Sequence, residues 1–224
     1  MSLLADTWDA FRAQDGWGQT WTHVKLSVVA LGLAAVAGVA LGVVAAKVGR
    51  LASFLVITVS NLGRTVPTFA IIVLILALTS IGFWPAALGL FALGVPPILL
   101  NAFTGIRDVD PGAVEASRGM GLTPLQVLTR VELPLAVPLI FAGIRTSAVQ
   151  IVATAALAGL VGSGGLGVIV QSGLANGQTE VLLAGAIPIT ILAALAEILF
   201  AGTERLATPR GLRIGRAPMT KEGT

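Results

Sequence analysis

Arg145 and Glu197 pose the first chemical question, because each stands inside a long apolar stretch. Charges inside membrane-spanning helices are rare and costly; they pair, bond backbone or snorkel to an interface. At 1.5 Å per residue Arg145 lies about 12 Å beyond Val137, and Glu197 roughly 6 Å before Ala201. An ion pair between two spans is one reading, and separate snorkelling is the other. A second concentration of polar groups runs from Glu115 to Pro134, E-A-S-R-G-M-G-L-T-P-L-Q-V-L-T-R-V-E-L-P, with charges of both signs between apolar runs. By its residues alone this segment could be an ordinary solvated connector between spans. A phosphate-binding loop needs Gly-Lys-Ser/Thr, whereas Lys25, Lys47 and Lys221 follow Val24, Ala46 and Thr220. There is one His, no Cys and no short-range cluster of acids. No catalytic residue, no phosphate-binding loop and no metal site is assigned.

The composition belongs to a bilayer. The hydrophobic fraction is 55% and the charged fraction 11%, against about 45–50% and 25% in soluble domains. Several uncharged runs reach the ~20 residues needed to cross a hydrocarbon core of ~30 Å. Twenty-seven glycines suit membrane helices that approach one another closely. The net charge of +3 does not indicate nucleic acid, because the basic residues lie between apolar runs and in the tail, where they orient spans. The lack of cysteine excludes disulfides and thiolate metal sites and leaves the redox compartment open. Asp6, Asp9 and Asp15 before the first apolar run argue against a signal peptide.

The pattern predicts an all-α polytopic membrane protein with about five spans. Residues 26–46 form the first, fenced by Lys25 and Lys47. Residues 52–79 form the second, interrupted by Asn61, Arg64, Thr65 and Pro67, either as one broken span or as two half-helices. Residues 83–103 are the third, where Pro96 and Pro97 remove two backbone donors and predict a kink or a stop. Residues 137–160 and 181–201 are the fourth and fifth. Lys47, Arg50, Arg107, Arg118 and Arg130 fall on one side of the bilayer with Arg205, Arg210, Arg213, Arg216 and Lys221. Residues 80–82 and 161–180 hold no Lys or Arg, so they are expected outside and the basic set in the cytoplasm. This makes the N-terminus external, the C-terminus cytoplasmic, and puts Trp17, Trp21 and Trp84 at external span ends. The expected divisions are an external segment 1–23, a transmembrane domain 24–203 with a polar segment 107–134, and a basic cytoplasmic tail 204–224.

Within the polar segment Asp110 is a helix cap followed by Pro111. Thr123 and Gln126 have the spacing of a capping box. Gly119 and Gly121 lie between them, so two short helices meeting at a bend are expected, able to pass a push from a partner into the neighbouring spans. Gly162, Gly164, Gly165 and Gly167 allow positive φ and close approach; they read either as an external gate contacting a partner or as a tight turn. Asn61, Arg64, Thr65, Thr68 and Asn101 are polar groups within apolar spans. They either line a pathway or bond to other helices, and Arg64 can instead snorkel.

The stretch from Glu115 to Pro134 resembles the signature E-A-A-x3-G-x9-I-x-L-P of permease subunits of ATP-binding-cassette importers. Glu115, Ala116, Gly121, Leu133 and Pro134 fall on pattern, with Ser117 for Ala and Val131 for Ile. The resemblance extends over residues 24–212 through N-L-G-R-T-V-P-T from Asn61, P-P-I-L-L-N from Pro96 and T-G-I-R-D-V-D-P from Thr104. It continues through V-E-L-P-L-A-V-P from Val131, A-G-I-R-T from Ala142, G-S-G-G-L-G from Gly162 and T-P-R-G from Thr208. Together these are similar to permeases of the glycine betaine/carnitine/choline, or osmoprotectant, type. Arg64 stands where that family commonly has Gln, and Phe103 where it often has Tyr.

The resemblance implies a cytoplasmic coupling helix at Glu115, Ala116, Ser117, Gly121, Leu133 and Pro134 that docks on a separate ATPase. It implies two ATP-binding subunits holding ATP and Mg, a second permease subunit, the same or related, and an external substrate-binding protein, all at the plasma membrane. Import of a quaternary-ammonium osmoprotectant is the expected function, with no enzyme activity and no cofactor in this chain. A permease of the same superfamily for an amino acid or a sulfonate is one alternative, separable by the pocket of its binding protein. An ion-coupled secondary transporter is the other; inverted repeats would favour it, and none is visible.

Overall fold

The computed structural model describes residues 3–65 and 67–207, and among these every regular element is helical. In chain order they are α1 (Leu3–Ala13), α2 (Gly16–Val48), α3 (Arg50–Thr65), α4 (Thr68–Leu78) and α5 (Phe83–Arg107). Next come α6 (Pro111–Gly119), α7 (Pro124–Val127), a π-helical turn (Leu128–Glu132), α8 (Leu133–Leu160), α9 (Gly167–Asn176) and α10 (Thr179–Ala207). The Thr208 motif and the basic residues Arg210, Arg213, Arg216 and Lys221 lie outside the described residues.

Among the described residues four helices are long and apolar enough to cross a membrane: α2, α5, the continuous run Pro124–Leu160, and α10. The central one is α5. Of its most apolar stretch 67% is buried, against 28% or less in the other three, and α2, α3, α4 and α8 all pack on it. The α2 seam is written in the sequence as Leu26, Ala30, Ala34, Gly38 and Gly42, all buried and spaced by four so that they share one helix face. A Cβ on Gly38 would stand 2.8 Å from Ile98 Cβ, and one on Gly42 2.7 Å from Ala102 Cβ. The two backbones therefore meet with no side chain between them, the contact that small residues permit in a membrane.

These contacts also set direction. Gly38 meets Ile98 and Gly42 meets Ala102, so α2 and α5 run parallel. Gly94 meets Ile151, Asn101 meets Gly143, and Gly105 meets Ala136, so α8 runs antiparallel to α5. A parallel α2 and α5 require one crossing between them, and the α3–α4 pair supplies it. Each helix of the pair is too short alone, with apolar stretches Leu51–Gly63 and Phe69–Leu78. Of the two forms open for residues 52–79 the chain takes the divided one, with an extended Pro67 (φ −60°, ψ 121°) ahead of α4.

At three points the structure departs from expectation. First, of the kink or stop expected at Pro96 and Pro97 the stop does not occur, and α5 runs ten residues further to Arg107. Both prolines are buried, and neighbouring side chains grip the carbonyls around them. Ser147 Oγ donates to Gly94 O (2.8 Å), Ser60 Oγ to Pro96 O (3.3 Å) and Asn101 Nδ2 to Pro97 O (2.8 Å). Second, the boundary expected at residue 23 falls inside α2, which begins at Gly16, and α1 precedes it. Phe11 anchors α1 in a cluster with Leu166, Ile169, Val181 and Ala184. Third, residues 161–180 are not only a loop but contain α9, tucked between α8 and α10.

The seam predicts a difference between two glycines of the same helix. Gly42→Leu should overpack the α2–α5 contact and destabilise the purified protein by about 1–3 kcal/mol. Gly32→Leu, where a Cβ meets nothing within 4 Å, should leave the thermal midpoint in detergent nearly unchanged. Equal midpoints for the two variants would remove the seam.

Candidate functional site

The polar segment between α5 and α8 has the capping its sequence asks for. Asp110 accepts from Gly112 N and Ala113 N, both at 3.2 Å, and Pro111 opens α6. Ser117 is buried on α6, with its hydroxyl donating to Ala113 O (2.6 Å). The opposite face leaves Glu115 and Ala116 exposed. Gly121 turns the chain at φ +85°, a conformation that suits glycine. The capping box then starts α7: Thr123 N donates to Gln126 Oε1 (2.8 Å), and Gln126 N to Thr123 Oγ1 (3.4 Å). The π-helical turn leads directly into α8, with Leu133 half-buried and Pro134 exposed. Two large apolar side chains not singled out in the sequence are strongly exposed here, Met120 at 73% and Leu125 at 68%. The segment thus exposes charges of both signs, Glu115, Arg118 and Arg130 among them, beside the apolar Met120 and Leu125, on two helices tied into the bundle.

Arg145 reaches from α8 to α10 and holds two carboxylates. Its Nε donates to Glu197 Oε2 (3.0 Å), its Nη2 to Glu197 Oε1, and its Nη1 to Glu204 Oε2 (3.0 Å). The contact with Glu197 is the bidentate fork that a planar guanidinium favours. The structure therefore brings the two intramembrane charges together. Glu204 was missed because it sits at the edge of the apolar run, although seven residues from Glu197 is two helical turns and the same face.

Among the described residues, the candidate pathway side chains Asn61, Thr65 and Asn101 show no mutual hydrogen bond. Asn101 donates within α5 to Pro97 O, and Thr65 Oγ1 within α3 to Leu62 O (2.9 Å); neither bond joins two helices. Asn61 is exposed on α3. Arg64 is the last residue but one of α3 and Thr68 begins α4, with their side chains outside the described residues.

The glycine-rich segment is a tight turn fastened to α2. Gly162, Gly164 and Gly165 have φ of +83°, +85° and +84°. A Cβ on Gly167 would fall on the Ala156 carbonyl oxygen. Gln19 Oε1 accepts from Gly165 N (2.9 Å), and His23 Nε2 donates to Val152 O (2.9 Å), which fixes its tautomer because a carbonyl only accepts. Among the described residues no group of His, Cys, Asp and Glu is arranged to hold a metal ion.

A bundle of membrane-spanning helices with an exposed, capped helical segment between two of its spans defines a multi-pass membrane transport subunit. The chain belongs to the family described as binding-protein-dependent transport system inner membrane component, whose model matches residues 38–210. It is 40% identical over 195 residues to the choline transport system permease protein OpuBB of Bacillus subtilis, covering 87% of this chain and 89% of that protein. It is 39% identical over 198 residues to the carnitine transport permease protein OpuCB of Listeria monocytogenes, covering 88% and 90%. Among solved structures it is similar to the MetNI methionine ABC transporter in inward-facing conformations. There the TM-score is 0.73 at 26% identity, over 85% of this chain and 95% of that one.

The Arg145 fork predicts a graded, non-additive response. Arg145→Met leaves two like-charged carboxylates facing each other, so it should lower the thermal midpoint more than Glu197→Gln, which leaves Arg145 its contact with Glu204. Combining the two changes should cost less than the sum of the singles, as coupled partners do. Strict additivity in a thermal-shift cycle on the purified protein would show that the groups act separately.

Proposed function

We propose that this chain is the permease subunit of an ATP-driven importer that carries a quaternary-ammonium osmoprotectant into the cytoplasm. Glycine betaine, choline and carnitine are the candidates. One observation carries the substrate class: relatives 36–40% identical over most of their length are choline, carnitine and glycine betaine/carnitine/choline permease proteins. The methionine transporter resembles the chain at lower identity, 26%, and supports the import machinery rather than the solute.

In this reading the segment carrying Glu115, Ala116, Ser117, Gly121, Leu133 and Pro134 docks on one of two cytoplasmic ATP-binding subunits, where ATP and Mg are held. A second permease subunit completes the pathway between them, and an external binding protein delivers the solute against the turn at Gly162, Gly164, Gly165 and Gly167. ATP-driven closure of the ATPases pushes α6 and α7, and the push enters α5 and α8 through the chain itself. Charge supports this orientation. Lys47 and Arg107 end the parallel helices α2 and α5, so they share the end that holds α6 and α7. Trp17, Trp21 and Trp84 lie at the starts of the same two helices, the opposite end, as indoles at the far interface would.

Uptake of labelled glycine betaine, choline, carnitine and proline by proteoliposomes bearing the whole complex tests the substrate class. The three quaternary ammonium compounds should compete with one another and proline should not. Uptake of methionine in preference to all of them would overturn the proposal. Glu115→Lys should leave the permease folded and abolish uptake, because an exposed carboxylate contributes little to stability while its contact is reversed in sign. A normal uptake rate and unchanged ATPase association would remove the docking role. Orientation is checked by cysteine labelling: Ser80→Cys and Asn176→Cys should react with an impermeant thiol reagent in intact cells, and Met120→Cys only after permeabilisation.

A further inference from the structure

Glu132 occupies the variable position of the Val131-x-Leu133-Pro134 pattern, yet among the described residues it is the one buried carboxylate. Its side chain is 6% exposed, and it accepts from the Nζ of Lys47, whose own side chain is 43% exposed. The partners are 85 residues apart: Lys47 lies in the last turn of α2, and Glu132 is the last residue of the π-helical turn. We propose that Lys47 and Glu132 are positioning residues that lock the first span to the coupling segment, so that α2 moves with α6 and α7 when the partner ATPase closes. This rests on the docking role proposed for the Glu115 segment.

Three observations favour a transmitting role over a surface pairing. First, Glu132 ends a π-helical turn, and the extra residue of such a turn rotates α7 against α8 by about 100°. The exposed face of α7 and the buried carboxylate can thus belong to one continuous rod. Second, beneath the pair lies one apolar cluster that gathers the ends of all the helices concerned. It contains Ala102 and Ile106 of α5, Ala136 and Ile140 of α8, Val43 and Ala46 of α2, and Leu128 of the turn. Third, α5 and α8 are covalently joined to the coupling segment, whereas α2 is not. The Gly38 and Gly42 seam already seats α2 on α5; the buried Glu132 carboxylate bonded to the Lys47 ammonium adds a direct polar tie from α2 to the coupling segment, because separating the two leaves a buried charge unpaired.

The proposal separates transmission from stability. In proteoliposomes holding the complete importer, solute transported per ATP hydrolysed should fall by about tenfold in Lys47→Met, in Glu132→Gln and in the double variant, within the range that single residues modulate coupling. Stability should behave differently. Lys47→Met strands the buried carboxylate and should show the lowest thermal midpoint, and the double variant, with no charge left, should recover toward the parent. A stable double variant with a lowered transport-to-ATP ratio is the expected result, and a role in folding alone would not produce it. A ratio within about twofold of the parent in the double variant would overturn the lock. Glu115→Lys, measured alongside, tells the two readings apart. If it lowers the ratio while the double variant does not, only the lock fails. If it too leaves the ratio unchanged, the docking role fails and the lock with it.

Discussion

Close backbone contact around α5 is the constraint on which the rest of this molecule depends. Between helices in a bilayer the hydrophobic effect supplies no net attraction, since lipid is as apolar as leucine, so association rests on van der Waals fit and hydrogen bonds. The chain meets that requirement with small residues aimed at α5 from both sides. Gly38 and Gly42 bring α2 onto it, and Gly143 brings α8 so close that a Cβ would stand 3.0 Å from Pro97 O. α5 answers with its own glycines: Gly94 faces Ala34 and Ile151, and Gly105 faces Ala136. The helix held at backbone distance on both sides also carries a buried proline pair, and hydroxyls of its neighbours bond two of the carbonyls there, Gly94 O and Pro96 O.

Rigidity at the centre shapes what happens at the periphery. Packed interfaces are bistable rather than continuously deformable, and they pass displacement as shifts of whole elements. On the docking role proposed for α6 and α7, a push there would reach α5 and α8 as a rigid-body motion and not as local bending. The division of the second span makes sense in the same terms. α3 and α4 are joined through an extended proline, so each packs on α5 as its own short element, Val56 of α3 against Leu99 and Phe103, and Ile72 and Leu76 of α4 in the central core cluster. α10 is fixed to α8 in another way, by the Arg145 fork to Glu197 and Glu204, two charges on one helix face gripped by one side chain on the other.

What could be read from the sequence came from local chemistry with a fixed spacing. Asp110-Pro111 and the Thr123–Gln126 box mark helix starts by backbone valence alone, and both caps form. The long uncharged runs mark four crossings. Arg145 and Glu197 stood out because a charge in an apolar run is conspicuous wherever its partner lies. Features fixed by tertiary contact were not legible. α9 is a ten-residue helix whose glycines matter only because Gly173 meets Leu182 and Gly167 meets Ala156, and its sequence reads as a loop. The Pro96–Pro97 pair reads as a stop until Ser147 and Ser60 are seen against it. Lys47 reads as a topology marker at a span end and Glu132 as the variable position of its motif; nothing in the linear order says that residues 85 apart meet.

Phe103 illustrates how a departure from family pattern can mislead when it is read as chemistry. A tyrosine lost from a transporter for cationic solutes suggests a lost contact with the cation. Here the ring is 6% exposed and sits in an apolar cluster with Val56 of α3 and Leu99 of α5. The cation on it is the chain's own Arg107, whose guanidinium lies 5.4 Å from the ring centroid and donates to Ser53 of α3. A buried phenol would need a hydrogen-bond partner that an apolar cluster does not offer, so phenylalanine satisfies this site by packing and by its face toward Arg107. The residue therefore fastens α3 to α5 at the coupling end. Its identity bears on how the divided span is held.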